Sequence, residues 1–101
     1  MAQKMAIMYV TPDGAADATS VTTGNSSSAI AIPSRSFILT ASDDVYINFG
    51  TSTVAVPDTS SLPLWGRTYV TIEADGVGVT HYRIYNNSGA TVITYAIPVT
   101  I

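Results

Sequence analysis

The chain's single histidine, His81, sits in Val79-Thr80-His81-Tyr82-Arg83-Ile84-Tyr85 and is the first place to look for acid–base chemistry. A catalytic or metal-binding imidazole needs a partner acid, a nucleophile or a second ligand within bonding reach. The sequence has no spaced histidine pair and no nucleophile-elbow motif, so His81 reads as a surface or interface residue. On strand alternation it shares a face with Val79, Arg83 and Tyr85. The acidic residues Asp13, Asp17, Asp43, Asp44, Asp58, Glu73 and Asp75 supply oxygens of the kind Ca²⁺ takes, about six to eight at a time. They contain no Asp-x-Asp-x-Asp-Gly spacing. Each aspartate stands where a turn favours a short side chain that bonds the local backbone. The expectation is no catalytic residue, no metal and no cofactor.

Trp65, in Leu62-Pro63-Leu64-Trp65-Gly66-Arg67, is the more informative residue. A loop tryptophan can plug the open end of a sandwich, anchor a protein interface or stack on a sugar. Asn25-Ser26-Ser27 and Asn86-Asn87-Ser88 match the glycosylation acceptor pattern, but no secretory signal accompanies them, and both read as turns. The opening residues 1–10 are apolar only as far as Thr11-Pro12-Asp13-Gly14, with no cleavage pattern, and are expected to be mature protein.

The totals exclude several classes. With 101 residues the chain is expected to form one domain. A domain of this size can bury about two-thirds of its unfolded surface, enough for one core without covalent staples. Zero cysteines remove disulfides, thiolate metal sites and cysteine nucleophiles, and fit a reducing cytoplasm. The net charge is −3, and the four basic residues, Lys4, Arg35, Arg67 and Arg83, are scattered. Nucleic-acid binding needs clustered positive charge, so it is not expected. No stretch approaches the ~20 apolar residues that span a bilayer. Charged residues make up 11% of the chain, against about 25% in an ordinary soluble domain. Serine and threonine, about a quarter of the sequence, supply the polar surface instead. Little like-charge repulsion keeps copies apart, which suits a protein packed against neighbours.

The elements that position these residues are strands. Phe37 to Thr40 and Val45 to Phe49 flank Ala41-Ser42-Asp43-Asp44, and the simplest reading is a β-hairpin with one buried face. Ala29 to Ile32, closed by Pro33, is a short strand. Thr53 to Val56 is a candidate edge strand. Thr68 to Ala74, Val77 to Tyr85 and Thr91 to Ile97 follow, punctuated by Asp75-Gly76 and Asn86-Asn87-Ser88-Gly89, with Pro98 bending the last strand. Ala15 to Ser28 is small and polar and reads as a loop or an arm, with Thr19 to Thr23 as a short strand. Roughly six to eight strands with regular turns and no helix signal predict an antiparallel β-sandwich or barrel. Residues 1–33 are expected to form an N-terminal arm and edge strands, and residues 34–101 the core.

From about Ser34 onward the chain resembles small tailed-phage virion proteins, a class that includes head decoration (cement) and minor capsid or fibre proteins. The resemblance rests on Phe37 to Ser52, then Leu62-Pro63-Leu64-Trp65, then His81-Tyr82-Arg83-Ile84-Tyr85-Asn86, and covers roughly two-thirds of the chain. It implies a β-sandwich or jelly-roll-like module; the N-terminal third, expected from its composition to be an extended arm, lies outside the resemblance. The resemblance further implies a non-enzymatic protein that binds the assembled head in many copies, made in the host cytoplasm and located on the capsid surface. The implied partner is the major capsid protein, with self-association as a homodimer or homotrimer. Expected contact residues are Met5, Ile7, Met8, Tyr9, Val10, Leu64 and Trp65. The alternative is a glycan- or receptor-binding module of a tail fibre, using Trp65, Tyr69 and Tyr82 as stacking platforms.

Overall fold

The computed structural model describes residues 11–12, 16–74 and 78–100, with side chains over 16–74 and 78–99. Its described residues are all-β. The strands are β1 (Thr11–Pro12), β2 (Asp17–Val21), β3 (Ile30–Ala31), β4 (Ser36–Ala41), β5 (Val45–Gly50), β6 (Leu62–Leu64), β7 (Tyr69–Glu73), β8 (His81–Tyr85) and β9 (Val92–Thr100). They form two antiparallel sheets. In the first, β2 and β1 lie one after the other along β9, followed by β4 and then β7. In the second, the order is β3-β8-β5-β6.

Period-2 side-chain placement builds the layer between them. In β4, Phe37, Leu39 and Ala41 are buried while Ser36, Ile38 and Thr40 are half-exposed. In β8, Tyr82 and Ile84 point inward between His81, Arg83 and Tyr85. Val45 and Ile47 of β5, Val92 and Ala96 of β9, Leu64 of β6 and Val21 of β2 complete one cluster drawn from both sheets. Phe37 and Tyr82 stack across the layer with ring centroids 6.1 Å apart. Such a pair adds about 0.5–1.5 kcal/mol to the area it buries.

The expected hairpin over 37–49 is corrected. β4 pairs with β7 and β9, β5 pairs with β6 and β8, and the two strands lie in different sheets. Alternation reports which face is buried, not which strand lies alongside, so two inward-facing strands read alike in either arrangement. Ser42 marks the departure: its N–H donates to Ile93 O and its Oγ accepts from Ile93 N, both at 3.0 Å. The chain then leaves β9's side through Asp43, whose Oδ1 accepts from Asp44 N at 2.8 Å. The strands either side of Asn86 to Gly89, β8 and β9, likewise belong to different sheets. β9 also continues through Pro98 to Thr100.

Residues 53–56 form no strand. Val54 is buried against Gly50, and the segment is held by side chains: Asn48 Nδ2 donates to Ala55 O at 3.1 Å and Arg83 Nη1 to Val54 O at 3.3 Å. The polar segment expected as loop or arm carries β2, whose five residues pair with β9 from Asp17 opposite Ala96 to Val21 opposite Val92. Residues 24–32 then follow β8 through Gly24 N to Asn86 O, Ser27 N to Ile84 O and Ile32 N to Thr80 O. Residues 17–31 thus give each sheet an edge strand.

Tyr82 is fully buried, which removes it as a stacking platform for a ligand. Its hydroxyl has no hydrogen-bond partner among the described residues. Burial, aided by the charge of Asp17, pushes the phenol up to about 12. An unfolded tyrosine ionises near pH ~10. The contribution from Tyr82 is therefore complete below about pH 10 and is lost as pH rises through about 12, on the order of 2–3 kcal/mol in all. Tyr82→Phe should abolish this alkaline limb and leave stability near neutrality equal or ~1 kcal/mol higher, because it deletes an unpaired buried hydroxyl. Urea denaturation of both proteins near neutral pH and at intervals up to about pH 12 measures the difference; identical pH profiles would contradict the assignment.

Candidate functional site

The chain passes from β6 in one sheet to β7 in the other through Trp65-Gly66-Arg67-Thr68, and this corner lies directly on the one formed by residues 41–44. Gly66 N donates to Asp44 Oδ1 at 2.6 Å, Arg67 N to Ala41 O at 2.9 Å, and Thr40 Oγ1 to Thr68 O at 2.7 Å. The turn closes on itself through Thr68 N to Trp65 O at 3.2 Å and Thr68 Oγ1 to the same carbonyl at 2.5 Å. Arg67 takes φ of 62°, a left-handed conformation that costs a side chain about 1 kcal/mol or more. Gly66 is required on steric grounds, since a Cβ there would lie 2.6 Å from Asp43 Cα.

This rigid support displays apolar surface. Trp65 is 59% exposed and Tyr69, on the outer face of β7, 70% exposed; Leu62 of β6 and Val70, on the inner side of β7 at the sheet edge, are also open to solvent. Trp65 therefore does not plug the end of the sandwich. Its neighbour Leu64 does the opposite: it is buried in the central cluster, so its expected role in partner contact is corrected to a core role. Alternation along an edge strand explains both, because one of two successive side chains must face the core. Met5, Ile7, Met8, Tyr9 and Val10 lie outside the described residues.

The remaining candidates make local hydrogen bonds. Asp43 and Asp44 spend their carboxylates on the two corners. Asp58 accepts from the Ser60 hydroxyl and the Ser60 N–H, which hold its carboxyl below the usual carboxylate range. No group of three or more metal-ligating side chains gathers among the described residues. His81 is half-buried, with Nδ1 2.8 Å from the Thr80 hydroxyl.

Two features escaped the sequence reading. Tyr46 and Tyr85, opposite one another on β5 and β8, stack on the outer face of the second sheet at 6.4 Å. Only the register brings them together, and register is not written in either strand alone. Asn86, read as a turn residue, is fully buried. Its Nδ2 donates to Val21 O and Ala90 O, both at 2.8 Å, while its Oδ1 accepts from Ser88 N at 2.8 Å and Ser88 Oγ at 2.7 Å. That engagement closes it to glycosylation. No family model, curated protein or solved structure matches the chain.

Proposed function

We propose that this chain is a bacteriophage virion structural protein, a head decoration protein that binds the assembled capsid in many copies and braces it by bridging capsomers. The observation that carries this reading is Trp65, 59% exposed on a tightly bonded corner, with Tyr69 exposed at the start of the strand that follows it. Aromatic anchors on a fixed support lose little conformational entropy on binding, and such residues dominate interface energetics. The low charge of the chain adds little desolvation cost to burying them.

The fold assignment within this proposal is a jelly roll. Support comes from the order of β2 to β9, β2-β9-β4-β7 against β3-β8-β5-β6, in which successive strands from β2 onward alternate between sheets except at β5 and β6. This arrangement occurs in viral capsid and lectin domains. The mechanism is adhesion: a modest site repeated over a shell stabilises it by mass action and avidity, with no bond made or broken. Residues 1–10 add contacts to the capsid in this reading.

The test is occupancy on purified shells that lack the chain. Trp65→Ser with Tyr69→Ser should reduce occupancy at least tenfold, equivalent to about 1.4 kcal/mol per site, while leaving thermal unfolding within a few degrees. Deleting Met1 to Val10, which spares β1, should also weaken binding with the fold intact. Unchanged occupancy in both variants would refute the assignment.

A second reading is a glycan-binding module, favoured by the same exposed aromatic pair, since sugar rings stack on such faces. Binding of a sugar panel to the isolated chain, lost in Trp65→Ala with folding retained, would select it over capsid adhesion.

A further inference from the structure

Sheet edges expose unpaired backbone groups, and proteins normally guard them with short strands, proline, charge or bulges. The edges of this fold differ in how well they are guarded. β6 spans three residues and includes Pro63. β3 spans two. β2 is Asp-Ala-Thr-Ser-Val, with a charge at one end and the weaker strand formers Ala18 and Ser20 on either side of Thr19. β7 is different. Its sequence Tyr-Val-Thr-Ile-Glu holds four strong strand formers, no proline, glycine or lysine, and one charge confined to its last position. It pairs with β4 along its whole length and with no other described strand. Alternate residues of an antiparallel strand turn N–H and C=O away from the neighbour, so β7's outer edge offers a row of donors and acceptors.

The geometry points to a second copy of this chain as the occupant of that edge, with the β7 strands pairing antiparallel about a twofold axis at Thr71. The sequence of β7 is self-complementary in this register. Thr71 meets Thr71 of the second copy, Val70 meets Ile72, and Tyr69 meets Glu73. Val70 and Ile72 lie opposite Leu39 and Phe37 of β4, on the side facing the second sheet. Val70 nevertheless remains 38% exposed, and the second copy would cover it. No like charges are opposed within β7: each Glu73 lies opposite an uncharged tyrosine. The two first sheets would join into one continuous sheet, with the twofold isologous contact that closes a dimer.

Sedimentation equilibrium of the full chain at micromolar concentration should give twice the 10.6 kDa chain mass. Thr71→Lys, at an exposed position, sets two ammonium groups face to face on the axis and should return the mass to one chain with thermal unfolding little changed. Because the native chain has no cysteine, Thr71→Cys introduces a single thiol. Opposed residues in an antiparallel pair have Cα atoms about 4.5–5.5 Å apart, within the range of a disulfide. Mild oxidation should therefore convert Thr71→Cys to a covalent dimer at least tenfold faster than Ser20→Cys on the exposed β2 edge. A monomeric native chain, a dimer that survives Thr71→Lys, or equal cross-linking at the two positions would overturn the inference. A monomer whose Thr71→Lys variant loses only shell binding would assign the edge to a capsid strand instead, and self-pairing would be rejected. The edge shares Tyr69 with the surface assigned to the capsid, yet the outcomes separate: a dimer that ignores shells would overturn the capsid reading alone.

Discussion

Gly66→Ala should destabilise the protein by about 3 kcal/mol or more, the largest loss expected from adding one methyl group anywhere among the described glycines. The added Cβ would meet Asp43 Cα at 2.6 Å, Asp43 C at 2.8 Å and Asp44 N at 3.1 Å. All three are backbone atoms, so no side chain can swing aside. Relief requires the 41–44 and 65–68 corners to part, which breaks the bonds from Gly66 N to Asp44 and from Arg67 N to Ala41. For a domain of this size the midpoint of thermal unfolding should fall by more than about 10 °C. Gly89→Ala is the control, since nothing lies within 4 Å of its Cβ position and it should shift the midpoint only slightly. Similar midpoints for the two variants would show that the corners are not locked. A folded Gly66→Ala protein should also lose partner binding, because Trp65 is carried on the displaced turn.

Asn86→Ala should cost roughly 3–5 kcal/mol, a large share of the 5–15 kcal/mol typical of a whole domain. The substitution removes one donor each from Val21 O and Ala90 O and the acceptor of Ser88 N; the first of these bonds is buried and the other two are partly so. An unpaired buried polar group carries its full desolvation cost, about 1–3 kcal/mol each. The amide also couples distant segments: Val21 ends β2, Ala90 precedes β9, and Asn86 itself follows β8. Losing it loosens the join between the two sheets at that end of the fold. Asn87→Ala, next in sequence but exposed, should change stability by about 0.5 kcal/mol or less. Chemical denaturation of both variants separates the cases, and equal losses would contradict the hub assignment.

The contrast between these neighbours shows what the sequence could carry. Strands were legible wherever inward and outward positions alternate, as in Phe37 to Ala41 and His81 to Tyr85, because burial imposes that pattern directly. Sheet membership was not. Ala41 to Asp44 has the residues of a tight reversal, yet the same short polar side chains serve a corner between layers, and the choice depends on partners far along the chain. Trp65 stands out in the sequence as the one loop tryptophan, but its outward direction follows from Leu64 pointing in, which needs the register of β6 against β5. Asn86 and Asn87 are the same residue type in one turn, and only the packing around Val21 and Ala90 makes one a buried hub and leaves the other in solvent.

The most direct measurement of the central claim, adhesion to a shell, is the copy number and position of the chain on purified phage heads, with the rupture threshold of heads that have and lack it. Many symmetry-related copies bridging capsomers, and a higher threshold when they are present, are the predicted result. A chain recovered free of particles, or heads equally robust without it, would contradict the account.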